Sequence, residues 1–184
     1  PPGISSPVLW GNRIFLTGVD SGKLVTLALD RATGKRLWTT PAPAEKLEAA
    51  HRISSPAAPS ACTDGERVIV YFGSYGLLAY DFAGKELWRH PLPPPIVEFG
   101  SGSSPILVGD LVIQLCDSDM DSFLIAVDKR TGKQKIWIYR DNVTQEQKGE
   151  ATVTYDDHAA AQSAIGWFDG KDFNGSSIKV QMGN

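Results

Sequence analysis

Ala126-Val127-Asp128-Lys129-Arg130-Thr131-Gly132-Lys133-Gln134-Lys135-Ile136-Trp137 decides how this chain divides. From its N-terminal side it reads as the third copy of a strand-turn-strand unit. From its C-terminal side it leads into a strand of a different, mixed α/β segment.

The first two copies lie upstream. Leu27-Ala28-Leu29-Asp30 is followed by Gly34 and Trp38, and Leu78-Ala79-Tyr80-Asp81 by Gly84 and Trp88. In the third copy Ile125-Ala126-Val127-Asp128 is followed by Thr131-Gly132. An Asp that accepts hydrogen bonds from turn amides, a Gly at positive φ and a Trp that closes the next strand make one mechanical device. It predicts an outer hairpin whose Trp packs against the neighbouring sheet. Ser-Ser-Pro at Ser5, Ser54 and Ser103, 49 residues apart each time, opens each copy with a short apolar strand. The turns Gly11-Asn12, Asp64-Gly65 and Gly109-Asp110 then lead into alternating strands. The repeats span about 5–50, 54–99 and 103–133.

Four short strands per unit of about 40–50 residues is the period of a β-propeller blade. Ala-x-Asp-x-x-Thr-Gly-x-x-x-Trp, at Ala28–Trp38 and shortened at Ala79–Trp88, resembles the repeat of PQQ-like β-propellers, a group that includes outer-membrane-assembly lipoproteins and quinoprotein dehydrogenases. The resemblance covers residues 1–133. Its enzymatic branch implies pyrroloquinoline quinone with calcium and often two adjacent cysteines. Cys62 and Cys116 are far apart and in different repeats. The non-enzymatic branch, a scaffold for protein contacts in a periplasm or outside the cell, is the implied reading. A fragment of a quinoprotein dehydrogenase is the alternative, and no cofactor or catalytic residue is expected.

Composition agrees with a folded, turn-rich chain. Of 184 residues, 42% are hydrophobic, and 18 Gly with 12 Pro suit an all-β architecture. The net charge of −3 gives no polycationic footprint, so affinity for RNA would come from base stacking and a few phosphate contacts. No apolar run reaches the ~18 residues of a membrane-spanning helix. The two cysteines suggest no disulfide framework or metal set. Asp117, Asp119, Asp121 and Asp128 have the spacing of calcium-loop ligands, but Ser122 stands where that loop needs Gly, and an inter-strand turn is expected. His51 and His90 sit beside Pro-rich connectors and are expected at the surface.

After Gly132 the blade pattern slips. Asp30 to Trp38 spans eight positions and Asp128 to Trp137 nine, which reads as an insertion that ends the repeat. A strand at Ile136–Tyr139 is expected, then a strand Gly149–Tyr155 and a helix His158–Phe168 capped by Asp156-Asp157, burying Ala161, Ala164, Ile165 and Phe168. A last strand is expected at Ser177–Met182. The order is ββαβ. Lys148-Gly149-Glu150-Ala151-Thr152-Val153-Thr154-Tyr155 fits an RNP1 segment, although Glu150 and Thr152 replace its usual aromatics. With Trp167–Gly175 and Ile178-Lys179-Val180, residues 129–184 resemble the C-terminal half of the RNA-recognition motif of the FET family. That resemblance implies single-stranded RNA contact by Trp137, Tyr139, Arg140, Lys148, Glu150 and Thr152, with Trp137 and Tyr139 stacking bases. It also implies a nuclear compartment, at odds with that of the propeller, and leaves Asn142 and Asn174 as unmodified glycosylation patterns.

The expected fold class is therefore mainly β: three blade-like antiparallel units over 1–133, then a partial α+β RNA-recognition motif over 134–184. Protein contacts through propeller edges, weak RNA contact and oligomerisation through open sheet edges are the expected partners. A blade strand, Leu111–Leu115 or Phe123–Val127, is a candidate replacement for the missing central strand of the half motif.

Overall fold

Alternating apolar residues between Gly-containing turns fold the first three quarters of the chain into antiparallel meanders. The computed structural model describes residues 2–183 apart from 121, 141–146 and 174, and within strands the side chains of 137–140 and 147–148 lie outside the described residues. The first sheet runs β1 (Val8–Trp10), β2 (Arg13–Asp20), β3 (Lys23–Asp30) and β4 (Arg36–Pro41) in spatial order. The second runs β5 (Cys62–Thr63), β6 (Arg67–Phe72), β7 (Gly76–Asp81) and β8 (Glu86–Pro91). The third has five strands: β9 (Ile106–Val108), β10 (Leu111–Cys116), β11 (Phe123–Asp128), β12 (Gln134–Arg140) and β13 (Gln147–Val153).

The sheets stack face to face, and side-chain alternation sends each strand's residues to two different neighbours. Between blades 1 and 2, Phe15, Leu24 and Ala28 pack on Val68, Val70, Phe72, Leu78 and Tyr80. Between blades 2 and 3, Ile69, Tyr71, Leu77, Ala79 and Trp88 pack on Val112, Cys116, Ile125 and Val127. Blade 2 is thus buried on both faces, and burial of each large apolar side chain there is worth roughly 1.5–3 kcal/mol.

The 49-residue spacing of Ser-Ser-Pro does not mark equivalent places. Ser6 and Ser104 each stand two residues before an inner strand, and in blade 2 that place belongs to Ser60. Hydrogen bonds show the equivalence: Ser6 N–H donates to Ser60 Oγ (2.8 Å), and Ser60 N–H to Ser104 Oγ (2.9 Å). Ser54-Ser55-Pro56 instead forms a turn in the long connector, where Ser55 Oγ accepts from Ala57 N–H (3.1 Å). A repeat triplet inside a connector carries no register, because only strand pairing fixes it.

The blade frame also continues past Gly132. Ala28 pairs with Trp38, Ala79 with Trp88 and Ala126 with Ile136, each followed by the same bulge. Ile136 therefore occupies the tryptophan position of blade 3. The nine-residue interval from Asp128 to Trp137 reflects a substitution at that position, and no residue is inserted. β12 is both the fourth strand of blade 3 and the partner of β13, with Ile136 opposite Val153 and Trp137 opposite Thr152.

The C-terminal segment departs from its expected packing. The helix α1 (His158–Phe168) has the expected bounds, and Asp157 caps it by accepting from Ala160 N–H (2.7 Å), whereas Asp156 pairs with Lys135 (2.6 Å). No residue of α1 is buried. Ala161, Ala164 and Ile165 are only partly covered, and Phe168 is 51% exposed. The expected strand Ser177–Met182 shrinks to a hairpin of β14 (Asp172–Phe173) and β15 (Ser176–Ser177). Among the described residues no strand pairs with the far edge of β13, and β11 joins β12 on the opposite side. Neither blade strand fills the missing place, so the last strand has no ladder to join.

Candidate functional site

The turn after each third strand builds one half of a docking site. Asp30 accepts from Thr33 N–H (2.8 Å) and Thr33 Oγ1 (2.7 Å), Asp81 from Ala83 N–H (2.8 Å) and Lys85 N–H (2.9 Å), and Asp128 from Thr131 N–H (2.8 Å) and Thr131 Oγ1 (3.0 Å). The Thr33 hydroxyl and amide hold the Asp30 carboxyl below its ordinary range. Burial pushes that of Asp128 up, but the bonds from Thr131 and Arg130 outweigh it and the net shift is downward. The carboxylates fix a tight turn whose Gly lies at φ 69° (Gly34), 86° (Gly84) and 69° (Gly132).

The tryptophan of the preceding blade occupies that turn. Trp38 Nε1–H donates to Phe82 O (3.0 Å), and Trp88 Nε1–H to Lys129 O (2.9 Å), in each case the residue after the turn's Asp. The indoles lie flush on glycine: a Cβ at Gly84 would come within 2.6 Å of the Trp38 ring, and one at Gly132 within 2.6 Å of the Trp88 ring. Two residues on, Thr40 Oγ1 donates to Gly84 O (2.9 Å) and His90 Nδ1 lies 2.9 Å from Gly132 O. His90 is thus a blade-junction residue and not a free surface one. Trp10 makes a further contact of this kind on Gly65 of blade 2, where an added Cβ would lie 2.5 Å from the ring.

The two ends of the stack differ from its middle. At blade 1 a Cβ on Gly34 meets nothing within 4 Å, so its turn is an open acceptor. At blade 3 the docking position holds Ile136. On the outward face of blade 3, Ile106 is 55% and Val108 52% exposed, and Leu115 is exposed beside them.

The connectors meet over the inner strands. Glu48 accepts from Ser101 N–H (2.8 Å) and Ser101 Oγ (2.9 Å), and burial raises its carboxyl above the ordinary range. Beside it a cavity of about 320 Å³ is lined by Tyr71, Ser101, Leu115 and Asp117. Ser122 Oγ donates to Asp117 Oδ1 (2.9 Å), closing the turn that has calcium-loop spacing; Asp121 lies outside the described residues. Burial pushes both thiols, Cys62 and Cys116, up to about 12.

Of the expected RNA-contacting residues, Glu150 and Thr152 are exposed on β13. The side chains of Trp137, Tyr139, Arg140 and Lys148 lie outside the described residues, as do Asn142 and Asn174. Their backbone is placed, with Arg140 opposite Gln147 at the start of β13. Val153 on the same strand is 50% exposed.

Stacked four-stranded meanders locked by indole on glycine define a propeller-type repeat protein. The chain matches the family described as outer membrane protein assembly factor BamB over residues 2–159 and belongs to it. Solved structures agree in fold. Quinohemoprotein alcohol dehydrogenase from Comamonas testosteroni matches 88% of the chain with 24% of its own length (TM-score 0.57, 18% identity). A europium-containing methanol dehydrogenase matches 73% with 24% (TM-score 0.56, 15% identity), and BamB from Moraxella catarrhalis 83% with 50% (TM-score 0.50, 15% identity). A second similarity covers 59 residues. The chain is 64% identical there to RNA-binding protein cabeza of Drosophila melanogaster and 56% identical to transcription initiation factor TFIID subunit 15 of Arabidopsis thaliana. It spans only 15% and 16% of their lengths. The chain therefore joins BamB-type blades to a segment shared with RNA-binding proteins.

The dehydrogenase likeness raises the question of a quinone with its metal ion. Among the described residues no three His, Cys, Asp or Glu converge in a manner that could hold a metal.

Proposed function

We propose that this chain is a non-enzymatic binding protein in which the three blades form a scaffold for protein contact. The observation that supports this reading is the match over residues 2–159 to a family described as an outer membrane protein assembly factor. Titration of the full chain with pyrroloquinoline quinone and calcium, with an alcohol and an electron-accepting dye present, tests it. The reading expects neither saturable quinone binding nor alcohol oxidation; tight binding with turnover overturns it.

A second reading, weak single-stranded RNA binding through β12 and β13, is favoured by the 64% identity to an RNA-binding protein. Trp137 and Tyr139 would each contribute roughly 1–3 kcal/mol by stacking. It expects salt-sensitive affinity for oligonucleotides that falls at least tenfold on Trp137→Ala or Tyr139→Ala; unchanged affinity in both variants rules it out.

A further inference from the structure

The two connectors between blades enclose a trough over blade 2. The first, residues 42–61, joins blades 1 and 2, and the second, residues 92–105, joins blades 2 and 3. Between them lies a cavity of about 620 Å³, walled by Leu47, Tyr75, Leu92, Pro94, Ile96 and Val97. Val97 also lines the cavity of about 320 Å³ beside Ser101 and Asp117, so the two spaces flank a single side chain.

The trough is held at a fixed width. Glu48 N–H donates to Ser74 Oγ (2.8 Å) in the turn between β6 and β7, and its carboxylate takes both bonds from Ser101. Leu92 N–H donates to Tyr75 O (2.9 Å) in the same turn. This clasp closes over Gly73, where an added Cβ would overlap both the Glu48 carboxylate and the Ser101 hydroxyl. Pro43, Pro91, Pro94 and Pro95 stiffen the walls by fixing their own φ angles, so little chain entropy is lost when the trough is filled.

Its charge is one-sided. Residues 91–128 contain no Lys, Arg or His. Glu45 and Glu48 line the larger cavity and Asp117 the smaller. Glu98 and Asp119 stand exposed on the rim, where Asp119 N–H donates to Ile96 O (2.8 Å). Among the described residues none of these five carboxylates is in an ion pair, whereas Asp20, Asp64, Glu66, Glu86, Asp110 and Asp156 each meet a Lys or Arg. Lys46 lines the larger cavity but is exposed. Further along the first connector, His51 lies with its ring 5.0 Å from that of Phe99, and Arg52 is exposed. Apolar side chains stand open between the acids, Ile96 being 64% and Phe99 50% exposed.

We propose that this trough binds a peptide segment of another protein that bears basic and apolar side chains. Two cavities in line suit a chain that places a side chain in each, and unpaired carboxylates around apolar walls select cationic residues beside apolar ones. The inference rests on the reading of the blades as a scaffold for protein contact, and gives that contact a place and a chemistry. An RNA strand, as a polyanion, is repelled here, so the trough is distinct from the RNA surface of the second reading.

Fluorescence anisotropy of the full chain with a labelled octapeptide of alternating lysine and leucine tests the proposal. One saturable site is expected, with an affinity that falls about tenfold as salt is raised to roughly 0.5 M. A glutamate–leucine octapeptide is expected not to bind, and a lysine–serine octapeptide to bind about tenfold more weakly. Ile96→Ser, and Glu98→Lys combined with Asp119→Lys, change only exposed side chains, and circular dichroism reports that each variant folds. Each is expected to weaken binding of the lysine–leucine peptide by about tenfold. A uridine oligonucleotide is expected not to displace that peptide. Absence of saturable binding, equal binding of the glutamate–leucine peptide, unchanged affinity in the variants or displacement by the oligonucleotide overturns the proposal. Each of those results leaves the scaffold reading standing, because that reading fails by quinone binding with turnover.

Discussion

Gly34 and Gly132 offer a matched pair for measuring the docking contact. Both lie at φ 69° in the same Asp-Thr-Gly turn, so alanine at either suffers the same left-handed backbone strain, roughly 1–2 kcal/mol. At Gly34 the added methyl meets nothing within 4 Å. At Gly132 it would lie 2.6 Å from Trp88 Cε3 and 2.8 Å from Cδ2. The ring must withdraw, at an overpacking cost of about 1–3 kcal/mol. Its withdrawal also stretches the Trp88 bond to Lys129 O and the His90 contact with Gly132 O, each worth about 0.5–1.5 kcal/mol. Gly132→Ala is therefore expected to destabilise the chain by about 2–4 kcal/mol more than Gly34→Ala. Urea unfolding followed by tryptophan fluorescence measures the difference as a shift in midpoint at constant slope. Gly84→Ala should follow Gly132→Ala, since its methyl would meet Trp38 at 2.6 Å. Equal losses at all three glycines would refute the docking account and leave only turn strain.

Other expectations are checked as directly. Trp88→Phe keeps most of the ring contact but loses the bond to Lys129 O, and should cost about 1–2 kcal/mol in the same unfolding assay. Cys62 and Cys116, whose thiols burial pushes up to about 12, should resist iodoacetamide at pH 8 in the native chain and react at once in urea. The depressed carboxyls of Asp64 and Asp128 bind protons less readily folded than unfolded. They add stability above the unfolded value near pH 4, and it should be lost as pH falls below about 4. Glu48 acts in the opposite sense, since burial raises its carboxyl and protonation on acidification relieves that cost; thermal unfolding between pH 3 and 7 shows which effect prevails.

The blades were legible where local chemistry fixes them. Asp, Gly and Trp at short spacing specify a turn and its lid, and Asp30, Asp81 and Asp128 with Gly34, Gly84 and Gly132 are placed as their residue types demand. Helix α1 was equally legible, because Asp157 and Gly170 punctuate it in sequence. What misled was spacing without pairing. Ser54-Ser55-Pro56 matched a constant interval yet lies in a connector, and Ser60, with no proline beside it, holds the structural place. Trp137 drew attention as an aromatic one position late, whereas strand register gives the docking position to Ile136. The contacts of Trp10 and His90 were not legible, and His90 was expected at the surface, because their partners, Gly65 and Gly132, belong to neighbouring blades, and contacts between repeats leave no local pattern. The failure of residues 178–183 to form a strand has the same origin: a ladder needs a neighbour, and none is supplied.

The central claim is that blade 3 does not end at Gly132 but continues through β12, so that one sheet carries both the propeller repeat and the segment shared with RNA-binding proteins. Hydrogen exchange of the full chain, resolved by peptide, addresses it. The account predicts that amides of Gln134–Ile138 exchange slowly and together with those of Phe123–Asp128, while those of 169–183 exchange fast. Exchange of Gln134–Ile138 at the rate of 169–183, with Phe123–Asp128 still protected, would contradict it.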